Sequence, residues 1–283
     1  MPTFDVAEGR VLAYEDTGDP DGIPVLFQHG TGDSRLCKYP DDQVTAALGV
    51  RLITADRPGV GDSTMREHRS LLDWAPDVAA LADHLGINEF VVAGHSGGGA
   101  HAMAVAYQLG DRVTKVGLAS PLVPFDEDGN KGLVLDSELK MVFRLSHLKW
   151  LAKAGAGAEA KHYAKHIDKF VEHCADTYPA DHDVFLDPVL RPMFEAEFTE
   201  AMRTAGAGSL ADFWAFGDWG FRIEDVTQPV KLFYGDADTI LDPAGARHYE
   251  DRLKDCTSIT WPGGGHYTVF ARDHWEAFLR SLV

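Results

Sequence analysis

The chain has 283 residues, 45% of them apolar, enough for one large α/β domain or a domain carrying an insertion. With 26 basic against 44 acidic residues its formal charge is −18, which argues against nucleic acid or an anionic membrane surface as partner. No apolar run reaches the roughly 18 residues of a membrane span, and the first residues lack the basic and apolar segments of a signal peptide. Cys37, Cys174 and Cys256 lie too far apart for a metal motif, so a cytoplasmic protein with unpaired thiols is expected.

Residues 4–6 and 11–15 read as short strands, followed by the turn Asp19-Pro-Asp-Gly22 and the apolar run Pro24-Val-Leu-Phe-Gln28. That run ends in His29-Gly30-Thr31-Gly32. Residues 41–48 suit a helix, and Val50-Arg-Leu-Ile-Thr-Ala55 suits a buried strand, which leads into the loop Asp56-Arg-Pro-Gly-Val-Gly-Asp-Ser63. Across residues 72–85 the apolar positions recur at helical spacing, with Gly86 where a helix stops. Residues 90–93 form an apolar strand running straight into a glycine-rich turn and an alanine-rich helix, and residues 113–119 supply the next strand. This rhythm predicts a mostly parallel sheet covered on both faces.

The rhythm breaks over residues 121–226. Helices are expected at 133–151, 158–174 and 188–204, with Ala154-Gly-Ala-Gly-Ala158 as a loop or helix break, then an aromatic cluster from Phe213 to Phe221. Alternation resumes with a strand at 229–235, a helix at 243–253, a short strand at 258–261 and a closing helix at 267–282. The expected organisation is a core of residues 1–120 and 227–283 around a helical cap of residues 121–226, inserted after the sixth core strand.

Gly94-His95-Ser96-Gly97-Gly98 fits G-x-S-x-G, a serine at the tip of a tight strand-to-helix turn. Such a turn strains the backbone, needs small residues two positions either side, and points the hydroxyl toward a helix N-terminus that can hold an anion. Serine is a weak nucleophile that needs a base oriented by a third group. Later in the chain, Tyr234-Gly-Asp-Ala-Asp-Thr-Ile-Leu-Asp242 offers Asp236, Asp238 and Asp242 in one loop. Pro262-Gly-Gly-Gly-His266 places a histidine on another. His162 and His166 stand four residues apart but have no third metal ligand at a fixed offset, so no metal is expected. The glycines at 94–99 lack the lysine of a phosphate-binding loop.

His29-Gly30, Asp56 to Ser63, the serine elbow, Gly235-Asp-Ala-Asp238 and Gly265-His266 occur in one order over nearly the whole core. In that order the chain resembles the α/β-hydrolase fold superfamily, in its lidded esterase and proline-iminopeptidase-like branch. The resemblance implies Ser96 as nucleophile, His266 as general base and Asp238 as the acid, with Asp236 and Asp242 left to turns and caps. It also implies an oxyanion hole from the N–H groups of Thr31 and Gly97, with His29 and Arg57 bracing loops. His95, Trp214, Phe216 and Trp219 are candidates for the substrate wall, whereas His101 is expected to be packed. The implied activity is hydrolysis of a carboxylic ester, or a related acyl bond, of a small and fairly apolar substrate, without cofactor or metal. A homodimer is left open. Prolyl or other amide cleavage, lactone opening, C–C bond hydrolysis and perhydrolysis remain alternatives on the same fold, as do a non-hydrolytic lyase or cyclase and a small-molecule receptor.

Overall fold

The computed structural model describes residues 2–137, 139–141 and 149–283. Its strands are β1 Thr3–Val6, β2 Arg10–Gly18, β3 Ile23–Gln28, β4 Val50–Ala55, β5 Phe90–His95, β6 Val113–Ala119, β7 Val230–Gly235 and β8 Cys256–Trp261. They form one sheet in the order β1-β2-β4-β3-β5-β6-β7-β8. β2 is antiparallel to β1 and β4, and every later pairing is parallel. All six residues of β5 are buried, as a central strand covered on both faces requires.

The helices are α1 Asp42–Ala46, α2 Ala75–His84, α3 Gly97–Gln108, α4 Lys149–Tyr163, α5 Ile167–Thr177, α6 His182–Leu186, α7 Arg191–Met202, α8 Ala207–Ala215, α9 Gly245–Glu250 and α10 Arg272–Leu282. Successive residues of β5 show how they divide. Phe90 and Val92 join a core with α2, α3 and α9, whereas Val91 and Ala93 join one with α1 and α10. In α10 the buried residues Trp275, Phe278, Leu279 and Leu282 fall on one stripe, and the Trp275 indole N–H reaches Thr45 Oγ1 of α1. α3 is buried from Gly97 to Ala106, and its small side chains let it lie close against the sheet.

Helices α4 to α8 all fall between β6 and β7. The expected helix at 158–174 is in fact two, because α4 ends at Tyr163 and α5 starts at Ile167. Conversely, residues 154–158 lie inside α4 rather than breaking it. Their three alanines favour helix, and the glycines offset this by only about 1 kcal/mol each. The expected helix at 133–151 does not begin at 133. Asn130–Leu133 is a 3-10 turn, Val134 bridges to Leu241, and residues 142–148 lie outside the described residues. None of the helices among the described residues is long and apolar enough to cross a membrane.

Candidate active site

Loops leaving the carboxyl ends of β3, β5, β7 and β8 carry Thr31, Ser96, Asp238 and His266, where parallel sheets commonly assemble sites. Ser96 has φ 54° and ψ −124°, a positive-φ backbone rare for a residue with a side chain, at the junction of β5 and α3. The turn exists because its flanks carry no side chain. A Cβ on Gly94 would overlap the Gly98 carbonyl, and one on Gly98 would overlap the carbonyl oxygens of Gln28 and His29. Backbone cannot yield as a flexible side chain would. Gly98→Ala is therefore expected to lower unfolding free energy by about 3 kcal/mol, read from urea denaturation.

His266 is buried, and its Nδ1 lies 2.6 Å from Asp238 Oδ2. The other Asp238 oxygen accepts the N–H groups of Ile240 and Leu241 at 2.8 and 3.0 Å, which fixes the carboxylate's orientation. Its two loop neighbours serve the backbone instead. Asp236 accepts the Gly263 N–H at 2.6 Å, and Asp242 the Ala244 N–H at 2.9 Å. Burial disfavours the His266 imidazolium, but Asp238, with Asp181 and Asp33 behind it, outweighs burial and raises the pKa.

Ser96, His266, Thr31 and Gly97 all line one cavity of about 260 Å³. Its apolar wall includes Leu122, Phe213, Phe216, Ile240 and Leu241, and Asp136, also on the lining, accepts the Tyr178 hydroxyl at 3.2 Å. Three expected wall residues are placed otherwise. His95 is fully buried, with Nε2–H donating to the His266 carbonyl at 2.9 Å and its ring against Tyr267 and Phe270. Trp219 is fully buried in the core, and Trp214 lines a separate depression with Lys153 over its ring. A buried hydrogen bond claims the His95 ring, apolar neighbours claim that of Trp219, and a lysine that of Trp214. Phe213 takes up wall instead.

Beneath the site, Arg57 donates to the carbonyls of His29 (2.6 Å) and Gly30 (2.8 Å), and so ties down the loop that carries Thr31. The Arg57 N–H in turn reaches His29 Nε2, and burial followed by Arg57 holds the His29 pKa well below its ordinary value. Arg57 pairs with Asp212 of α8 at 2.8 Å and Arg69 meets the same carboxylate at 2.7 Å, all fully or nearly fully buried. Burial would raise the Asp212 pKa, but the two guanidinium groups outweigh it and hold it well below the carboxylate range. His101 is packed against this group. Its Nδ1–H donates to the Gly97 carbonyl, and burial followed by Arg57 brings its pKa to about 4.

Asp33, Cys37 and Glu197 bring three buried donor atoms within 4.8 Å of one another, a separation a metal could bridge. Burial and then Asp33 push the Glu197 carboxyl well above its usual range, which disfavours the charged form a metal would need. His162 and His166 are exposed, with His166 beyond the end of α4, and neither joins such a grouping among the described residues. Nothing local in the sequence marks Asp181, Asp212 and Glu197 among so many acidic residues.

Residues 23–273 match the family described as alpha/beta hydrolase fold, and the chain belongs to that family. Among curated proteins it is similar to a non-heme haloperoxidase of Rhodococcus erythropolis, 35% identical over 48% of this chain and 51% of the relative. It is also similar to a proline iminopeptidase of Neisseria gonorrhoeae, 29% identical over 60% of this chain and 49% of the relative. The chain thus spans about half the length of the curated relatives it matches. A solved carboxylesterase of Nitrososphaera gargenis superposes with a TM-score of 0.73 at 19% identity, over 99% of this chain and 97% of that one, a likeness of fold.

Proposed function

We propose that the protein is a serine hydrolase that cleaves a carboxylic ester, or a related acyl bond, of a small and largely apolar substrate through an acyl-enzyme on Ser96. One observation carries the reading: a serine on a strained strand-to-helix turn shares a cavity with a histidine whose Nδ1 is held by a buried aspartate. Ser96 Oγ attacks the carbonyl carbon as His266 Nε2 takes its proton. Asp238 keeps Nδ1–H in place and stabilises the imidazolium, and the N–H groups of Gly97 and Thr31 receive the negative oxygen. His266 then returns the proton to the leaving alcohol, and water, deprotonated by His266, releases the acid and restores Ser96. Residues 121–226 act as the cap, and the 260 Å³ cavity, small beside typical ligand sites, selects short acyl chains.

The test is turnover of p-nitrophenyl butyrate against longer esters, together with fluorophosphonate labelling of Ser96. Labelling without turnover of any ester or amide would overturn hydrolysis in favour of a receptor or a non-hydrolytic enzyme.

The pH dependence follows from the raised His266 pKa. The base works only when neutral, and a raised pKa keeps it protonated to higher pH. The acid limb of kcat/KM is therefore expected above the ordinary histidine value of about 6.5. Asp238→Asn moves that limb to lower pH while lowering kcat, and an unmoved limb would show that Asp238 does not act on His266.

A second reading has one observation behind it. Asp136 puts a carboxylate on the cavity wall, where it would meet a substrate amine. Aminoacyl p-nitroanilides separate the two, since Asp136→Asn would raise KM for the amine-bearing substrates alone.

A further inference from the structure

Asp181 belongs to none of the motifs that carry the family resemblance. It ends the 3-10 turn Pro179–Asp181, between α5 and α6, in the stretch inserted between β6 and β7. Its side chain is buried, and its carboxylate takes two consecutive backbone N–H groups of the histidine loop. Oδ2 accepts from His266 at 2.7 Å and Oδ1 from Tyr267 at 2.8 Å. Paired charge-assisted hydrogen bonds fix orientation as well as distance. The preceding residue accommodates this contact because it has no side chain, for a Cβ on Gly265 would overlap the Asp181 carboxylate. His266 is thereby held at three points by buried groups from three segments: its N–H by Asp181, its carbonyl by His95 and its ring by Asp238.

We propose that Asp181 is a positioning residue for His266. Supplied by the inserted helical segment, it clamps the histidine loop and sets a second negative charge behind the imidazole. On this account the insertion completes the proton-transfer apparatus as well as covering the pocket. The inference rests on the roles given above to Ser96 and His266.

The groups facing His266 are Asp238 from the loop after β7, Asp181, Asp33 from the loop after β3, and the His95 ring at 4.8 Å between centroids. The three carboxylates favour the imidazolium. Burial pushes the Asp181 pKa up to about 6, against the pull of His266 and the two N–H groups. Asp181 therefore carries its charge over the range in which a base of raised pKa is neutral and active.

The test uses the whole protein with Asp181→Asn, which keeps the shape but removes the charge and one acceptor, and with Gly265→Ala, which displaces the carboxylate from the opposite side. The His266 imidazole resonance, assigned with His266→Ala, is followed by NMR against pH. Asp181→Asn is expected to titrate at lower pH than wild type. In both variants kcat on p-nitrophenyl butyrate should fall about tenfold or more with KM within about twofold, because a small misplacement of a proton acceptor costs rate rather than binding. Should Asp181→Asn not fold, Asp181→Ser carries the same comparison. Folded Asp181 variants with the wild-type titration and kcat would overturn the role of Asp181. Absence of ester turnover in wild type would instead remove the reading of Ser96 and leave the titration to judge Asp181.

Discussion

Ser96→Ala is expected to abolish ester turnover, by a factor on the order of 10⁴ to 10⁶, with the fold and the cavity intact. His266→Ala should fall as far, since nucleophile and base act as one unit and the loss of either removes the acyl-enzyme route. The backbone at Ser96 makes a second, opposite prediction about stability. A non-glycine residue at φ 54° stores strain of about 1–3 kcal/mol, and glycine releases it. Part of that gain is offset because glycine also loosens the unfolded chain. Ser96→Gly should therefore be inactive yet more stable than wild type by about 1 kcal/mol, read from urea unfolding. Equal stability in Ser96→Gly and Ser96→Ala would mean that the turn holds no strain at this residue.

Asp212→Ala should be among the most destabilising single substitutions. It leaves the Arg57 and Arg69 guanidinium groups buried without their shared counter-charge. Removing one partner of a buried ion pair costs about 3–5 kcal/mol, chiefly because the remaining charge stays desolvated. The exposed pair Arg51–Asp16, at 2.6 Å, is the comparator, and Asp16→Ala there should cost no more than about 1 kcal/mol. Catalysis should suffer too. Arg57 also holds the carbonyls of His29 and Gly30, so Asp212→Ala frees the loop that presents Thr31. A loss of less than about 1 kcal/mol would show that the Asp212 carboxylate is not what keeps these cations inside. The sign with pH agrees. Asp212 has a depressed folded-state pKa, so its stabilisation is present above the unfolded value and is lost as pH falls through the folded one.

Where structure is local, the amino-acid order makes it readable. β4 and β6 fall where two apolar strands are expected, since each is a short run bounded by turn residues. Gly86 takes φ 69° just beyond α2, as a helix stop demands. The choice among Asp236, Asp238 and Asp242 needs the family pattern, because all three share one loop and only folding shows which of them meets His266. Long-range pairings left no such mark. Asp181 meets His266 across 85 positions and Asp212 meets Arg57 across 155, and neither has a local pattern to separate it from surface acids. The same holds for Trp214 and Trp219. An aromatic cluster announces burial, but which rings face a cavity depends on how helix packs on sheet.

The place of the insertion also bears on synthesis. β6 pairs with β7 only after residues 120–229 have been added. A nascent chain that has made its first six strands carries β6 as an open parallel edge, with Val116 and Leu118, fully buried in the finished protein, still lacking the strand that will lie beside them. Until β7 arrives, such an edge is a template for pairing with another unfinished chain. A pause in translation within residues 120–229 lengthens its exposure.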